Sequence, residues 1–251
     1  AISDISLTSG MRSNLVSLQS TVELLNRTQE RLATGRRVNS PLDNATNYFV
    51  AKSHMDRAED LSVRKDGMGE AIQTVKAANE GITAITELIA SAKGLAQSAL
   101  SAGTAERSTL AAQFDAILTQ IDELAEDSGY KGTNLLGGDA LEVKFNEDGT
   151  NLLTITGFDA SSSSVGLDIT AAAGNWATDG NINDAVTDLD AALTELRSQA
   201  KTLSSNLNII TTRDAFTQGM VNVLTEGATT LTAADTNEEG ANMLMLQVRQ
   251  S

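Results

Sequence analysis

The chain has 251 residues, no cysteine and a single proline, and aromatic residues make up 3% of it. The lack of cysteine excludes a disulfide framework, a thiolate metal site and a cysteine nucleophile, and the net charge of −15 argues against a nucleic-acid partner, whose phosphates require a basic surface. Fifteen Asp and Glu but only two Lys lie in residues 115–190, which indicates a solvated middle between ends that pack.

The first predicted element is a helix over residues 10–33 that ends at Gly35. Its apolar residues recur at alternating steps of four and three, which places a narrow apolar seam along a straight helix. Because no predicted helix lies next to it in sequence, we expect this seam to pack against other molecules or against the C-terminal segment. The residues of this assembly seam are Met11, Leu15, Leu18, Val22, Leu25 and Leu32.

A turn at residues 39–41, in which Ser40 is expected to cap the next helix, precedes a long helix predicted from about Asp43 to Leu100. At ~1.5 Å per residue this helix would be roughly 85 Å long, so we expect an elongated molecule rather than a compact globule. We interpret the helix's four glycines as points of close approach by another helix rather than as breaks. These are Gly67, Gly69, Gly81 and Gly94.

A third helix is predicted after the turn at residues 101–104, and a glycine-punctuated loop over 128–138 leads from it to a β-hairpin. Apolar and polar residues alternate over 141–145 and again over 153–156, as they do in half-buried strands. The Asp148-Gly149 pair between these runs is a hairpin-turn signal.

Residues 159–180 are polar and aperiodic, so a surface loop or weak strand is predicted there. The last long helix is predicted over residues 182–231, and another begins at about Asp235. The 182–231 helix carries a C-terminal seam with the same spacing as the assembly seam, which we interpret as packing within the molecule. Its residues are Leu189, Leu193, Leu196, Leu203, Leu207 and Ile210.

The sequence offers few groups for enzymatic chemistry, and we expect no cofactor and no bound metal. His54 is the only histidine, so a histidine-based zinc site or catalytic dyad lacks its parts. Asn146, Asp148 and Thr150 partly match a calcium loop, but Gly157 stands where a bidentate Glu belongs, and the hairpin turn is the favoured interpretation. No apolar run approaches the ~18 residues of a membrane span, and no cleavable signal peptide is visible.

Four collinear segments resemble bacterial flagellin. Residues 29–51 (QERLATGRRVNSPLDNATNYFVA) look like the flagellin N-terminal signature, and residues 66–82 (DGMGEAIQTVKAANEGI) and 128–136 (SGYKGTNLL) are similar to the segments that follow it. Residues 231–250 (LTAADTNEEGANMLMLQVRQ) look like the flagellin C-terminal core. The resemblance covers nearly the whole chain except about 157–180, and it is greatest to the short flagellins of alphaproteobacteria.

The resemblance implies a mainly α fold, an elongated antiparallel helical bundle formed by the N- and C-terminal segments with a small β-hairpin and no large outer domain. The expected division is an N-terminal filament-core helix (1–35), the N-terminal part of the bundle (36–130), the hairpin and a variable surface loop (131–180), the C-terminal part of the bundle (181–234), and the start of a C-terminal core helix that continues further in the family (235–251). Within the variable loop, the candidate glycosylation sites are Ser161, Ser162, Ser163 and Ser164.

The function that the resemblance implies is that of a structural subunit, not an enzyme, that self-assembles into the bacterial flagellar filament for motility. Its expected partners are other copies of itself, the flagellar type III export apparatus with its chaperone, and the hook-associated cap and junction proteins; its expected location is extracellular. Two alternatives stay open. A hook–filament junction protein shares the architecture but is expected to carry a larger middle, and a stalk-displayed enzyme or binding protein would have to place its pocket in that small middle.

Overall fold

The computed structural model describes the backbone of residues 2–251 and the side chains of residues 8–251. The described residues form α1 (Ile2–Thr34), α2 (Ala45–Leu100), α3 (Thr104–Asp127), β1 (Ala140–Lys144), β2 (Leu152–Thr156), a short 3₁₀ turn (Ala173–Trp176), α4 (Asp179–Thr232) and α5 (Thr236–Gln250). This confirms the mainly α fold with a small hairpin and, within the described residues, no large outer domain.

The chain divides into two compact units, each made of N- and C-terminal segments. The first unit contains Ala1–Asp60 and Met220–Ser251, and the second contains Leu61–Gly219. Helices α2 and α4 contribute to both units. These units group residues 36–60 and 220–234 with the terminal helices.

The core of the second unit lies between α2, α3 and α4. Lys93 Nζ is 2.7 Å from Asp190 Oδ1 and Lys65 Nζ is 3.7 Å from Asp214 Oδ1, so α2 and α4 run antiparallel. Alanines on the buried face of α2 let the helices approach closely, and the largest buried side chains are aromatic and branched aliphatic. All six residues of the C-terminal seam lie in or against this core; Leu189, Leu196, Leu203 and Ile210 are buried, and Leu193 and Leu207 are partly buried.

The turn between α1 and α2 differs from its predicted form. Gly35 follows α1 with φ +68°, a left-handed conformation that favours glycine, so the predicted end of the helix is confirmed. The cap of α2 is Asn44, whose Oδ1 accepts a hydrogen bond from the Asn47 N–H at 3.0 Å, so the expected cap at Ser40 is wrong. The Asp43 carboxylate accepts the N–H groups of Asn39 and Ser40 instead, which holds this segment in a turn outside the helix.

One of the four glycines of α2 lies at a point of close approach. A Cβ on Gly81 would overlap the Ser128 hydroxyl and would lie 2.6 Å from Leu136 Cδ1. A Cβ on Gly67, Gly69 or Gly94 would have no neighbouring atom within 4 Å. The close-approach interpretation is therefore wrong for these three positions. Gly81 thus lets the end of α3 and the loop after it pack directly on the α2 backbone.

The predicted hairpin is confirmed, with an antiparallel register that runs from Ala140 opposite Thr156 to Lys144 opposite Leu152. Its turn satisfies its own polar groups. The Thr150 hydroxyl and N–H both donate to Asp148 Oδ1, at 2.8 and 3.1 Å, and these hydrogen bonds lower the pKa of Asp148 from its ordinary value. The carboxylate that partly matched a calcium loop is therefore a turn-forming group.

Residues 159–178 pack on the helices of the second unit, although their composition is polar. The segment contains no regular strand, and its buried residues are Ala160, Leu167, Ile169 and Trp176. The Trp176 ring lies in the core with its centroid 4.8 Å from that of Phe114. The expectation of a solvent-facing surface loop therefore fails at Ala160, Leu167, Ile169 and Trp176, because apolar residues are interspersed among the polar ones.

Helix carboxylates also hold the backbone of this segment in place. Asp122 Oδ1 accepts the Ser162 N–H at 2.7 Å, and Asp115 Oδ1 accepts the Ala172 N–H at 2.8 Å. These two aspartates are seven residues apart on α3 and so share one face of the helix. Eleven of the twenty residues from 159 to 178 are nevertheless exposed, including the turn at residues 163–165.

Candidate assembly surface

The assembly seam predicted on α1 is divided by α5 into a covered and an uncovered part. Helix α5 packs on the C-terminal half of α1, where Thr21, Leu25 and Thr28 are buried, and Leu246 on α5 is buried as well. Val22 and Leu32 of the seam are half-buried beside them. The C-terminal segment is therefore the partner of this half of the seam.

The N-terminal half of the seam has no cover. Met11, Leu15 and Leu18 are 67%, 55% and 44% exposed, and every described side chain of residues 8–20 is exposed. These three residues stand on one side of a continuous helix, since they are four and three positions apart. They form an apolar strip that extends the covered stripe toward the N-terminus.

The α1–α5 pair is fastened at its base by backbone hydrogen bonds and by an ion pair. The Ala234 N–H donates to the Gly35 carbonyl at 3.0 Å, and the Arg37 N–H donates to the Thr232 carbonyl at 2.6 Å; we call residues 35–37 and 232–234 the clasp. Asp235 caps α5 by accepting the N–H groups of Asn237 and Glu238.

The ion pair joins Arg31 Nη1 to Glu239 Oε1 at 3.1 Å. Neither residue was identified from the sequence. The spacing of α5 could have identified the pair. Glu239 lies seven residues before the buried Leu246, so it is a charged residue on the face of α5 that packs on α1.

Exposed apolar side chains are concentrated in the first unit. This unit is the smaller of the two, yet it holds thirteen of the nineteen exposed large hydrophobic side chains in the described part of the chain. Besides α1, they lie on α5, at Val223 of α4, and in the α1–α2 turn and the start of α2, where Leu42 is 96% and Phe49 is 57% exposed. Clustered exposed apolar surface of this kind marks a site of protein–protein contact.

The first unit also contains a groove of ≈ 590 Å³ between the α1–α2 turn, the start of α2 and the end of α4. Val38, Tyr48 and Ala51 line it together with Lys52 and several threonines. The only histidine, His54, is half-buried on α2 beside Gly227 of α4. Among the described residues, no group of three or more His, Asp or Glu is placed to hold a metal ion, and no helix is long and apolar enough to cross a membrane.

Comparison with known proteins places these features in a family. The model for the bacterial flagellin N-terminal helical region matches residues 2–140. The flagellin FljO of Caulobacter vibrioides is 26% identical over 254 residues, which cover 100% of this chain and 92% of that protein. A flagellin of Brucella melitensis is 27% identical over 246 residues, with 94% and 87% covered.

The crystal structure of Bacillus cereus flagellin has a TM-score of 0.51 at 15% identity, covering 60% of this chain and 88% of that one. At this identity the likeness is one of fold.

Proposed function

Because the chain belongs to the bacterial flagellin family, we propose that it is a subunit of the flagellar filament whose first unit makes the contacts between copies. The family membership supports the filament subunit. The observation that carries the assignment of the contacts is the concentration of exposed apolar side chains on α1, α5 and the α1–α2 turn. The partner in these contacts is a second copy of the chain, because a filament subunit polymerises with itself.

The uncovered strip of Met11, Leu15 and Leu18 is the proposed centre of these contacts. Burial of one such side chain contributes about 1.5–3 kcal/mol. Two aspartates in the strip would replace that gain by the cost of burying charge. The buried Leu25 is unsuitable for the same test, because its replacement would also detach α5 from α1.

The proposal is tested with Leu15→Asp/Leu18→Asp, and with Ser13→Asp/Ser20→Asp as the matched control on the opposite, exposed side of α1. Purified protein is seeded with filament fragments, and filament length is scored by electron microscopy. We expect the leucine variant to stop elongation and the control to elongate like the unchanged chain, while circular dichroism shows equal helix content in the monomers. Filaments of normal length from the leucine variant would contradict the proposal.

A filament outside the cell requires export of its subunits. The proposal therefore includes passage through the flagellar type III apparatus with a chaperone, and contact with the hook-associated cap and junction proteins. Relatives that are named as flagellins and match nearly the whole chain favour this function over a hook–filament junction protein or a stalk-displayed enzyme or binding protein. Fractionation of cultures with and without a working export apparatus tests it, since the subunit should leave the cell only with the apparatus.

Glycosylation, if it occurs in the serine run, is proposed to fall on Ser164 and next on Ser163. Both side chains are exposed, and Ser164 precedes Val165, which is 82% exposed. Ser161 and Ser162 are half-buried, and Asp122 accepts the Ser162 N–H. Intact-mass and peptide mass spectrometry of native filaments should place added mass on Ser163 or Ser164, and mass on Ser162 with both of these unmodified would contradict the assignment.

A further inference from the structure

The stripe of α1 that α5 covers repeats itself one heptad earlier along the same helix. The covered stripe consists of Thr21, Leu25, Thr28 and Leu32. Seven residues earlier, the corresponding residues are Asn14, Leu18, Thr21 and Leu25. A shift of α5 by one heptad toward the N-terminus of α1 would therefore replace each leucine by a leucine and one threonine by a threonine. Apolar contacts along this stripe do not distinguish the two registers.

Arg31 is the charged position at which the repeat fails. Seven residues before it the chain has Leu24 instead of a second arginine. In the observed register Arg31 Nη1 lies 3.1 Å from Glu239 Oε1, and Glu239 is only 6% exposed. In the shifted register Glu239 would face Leu24, and a buried carboxylate without a partner is strongly unfavourable.

We propose that the Arg31–Glu239 ion pair selects the register in which α5 packs on α1. The geometry of the pair indicates that it contributes more to the choice of register than to stability. Arg31 Nε and Glu239 Oε2 are buried without a hydrogen-bond partner, so the contact is single rather than bidentate. A buried pair of this kind adds little net stability, yet it penalises every arrangement that separates its members. A polar residue in the seam of a coiled coil sets register in the same way.

The clasp is the competing explanation for the register. Its hydrogen bond from the Ala234 N–H to the Gly35 carbonyl fixes where α5 begins, one residue before the Asp235 cap. If the clasp alone determined the register, removal of the ion pair would leave α5 where it is. The two explanations therefore differ in what they predict for a chain that keeps the clasp residues and loses both charges.

The chain has no cysteine, so spin labels attach cleanly to two introduced ones. Ala33→Cys on α1 and Gln247→Cys on α5 replace exposed residues, and pulsed electron paramagnetic resonance on the full-length monomer measures the distance between the labels. A shift of α5 by seven residues toward the N-terminus of α1 moves its label away from position 33 by about 10 Å. The unchanged pair should give one distance.

The decisive variant is Arg31→Leu/Glu239→Leu, which removes both charges of the ion pair and keeps the apolar stripe. We expect two distances separated by about 10 Å. In Leu24→Arg/Arg31→Leu, which keeps Glu239, the longer distance should dominate. The charge-exchanged variant Arg31→Glu/Glu239→Arg should return to one distance, and the control Arg27→Leu, which removes an exposed arginine one turn away, should not change it.

A single native distance in Arg31→Leu/Glu239→Leu would overturn the proposal in favour of the clasp. A broad distribution without defined distances in the same variant would overturn it as well, because the ion pair would then be required for packing itself and not for the choice of register.

Discussion

Replacement of Gly81 by alanine tests the packing of the second unit at the point where α2 is approached most closely. A methyl group at this position would overlap the Ser128 hydroxyl and would lie 2.6 Å from Leu136 Cδ1. Neither neighbour can move away easily. The Ser128 hydroxyl donates a hydrogen bond to the Leu124 carbonyl at 2.6 Å, and Leu136 is fully buried.

Two opposing terms set the expected size of the effect. Alanine is favoured over glycine in a helix interior by about 1 kcal/mol, and this gain applies equally at Gly81 and at Gly94. Overpacking of a filled core costs about 1–3 kcal/mol, and this cost applies only at Gly81, since the space around Gly94 is open. We expect Gly94→Ala to be stabilised by up to ~1 kcal/mol and Gly81→Ala to be about 1–3 kcal/mol less stable than Gly94→Ala.

Urea unfolding followed by circular dichroism measures the free energy of unfolding of both variants against the unchanged chain. Gly81→Ala/Ser128→Ala serves as a further variant, because removal of the hydroxyl relieves the closest overlap and should recover part of the loss. Equal stabilities for Gly81→Ala and Gly94→Ala would refute the reasoning, since the backbone of α2 would then not be in close contact with the end of α3.

Three further predictions concern the turns and the polar segment. Asn44→Ala should cost about 0.5–2 kcal/mol of stability through loss of the α2 cap, whereas Ser40→Ala should have no measurable effect in the same unfolding assay. A short glycine-serine insertion after Ser164 should leave thermal unfolding unchanged, whereas the same insertion after Ile169, which is buried, should lower the melting temperature; equal effects would contradict the packing described for this segment.

In a nuclear magnetic resonance titration, Asp148 should show a pKa below its ordinary value because the Thr150 hydroxyl and N–H stabilise its charged form. The ionised Asp148 carboxylate should stabilise the turn fully above the ordinary pKa of about 3.9. This stabilisation should be lost as the pH falls through the lower pKa that Asp148 has in the folded protein. An ordinary pKa for Asp148 would show that these hydrogen bonds do not form in solution.

The sequence alone predicts the helices and the hairpin well, because both follow from local periodicity. The 3-4 spacing of the C-terminal seam predicts a buried helix face, and Leu189 and Leu196 of that face are buried. The hairpin register follows from alternation on both sides of the Asp148-Gly149 turn. In each case the pattern that specifies the element lies within the element itself.

Features that depend on contacts between distant segments could not be predicted in this way. Gly67, Gly81 and Gly94 look alike in the sequence, and only the end of α3 makes Gly81 different. Trp176 and Ile169 lie in a polar stretch without periodicity, so their burial depends on a surface supplied by the helices. Glu239 gains its role from Arg31, which is far away in the chain.

Methionine oxidation tests whether the uncovered strip of α1 is buried between copies in the filament. Exposed thioethers oxidise readily, and the chain carries an exposed Met11 in the strip and a fully buried Met68 in the second unit. Monomers and filaments are treated with peroxide under identical conditions, and the oxidation of each methionine is followed by peptide mass spectrometry. Met11 should oxidise rapidly in the monomer and slowly in the filament, while Met68 should oxidise slowly in both. Equally rapid oxidation of Met11 in the two states would contradict burial of the strip between copies.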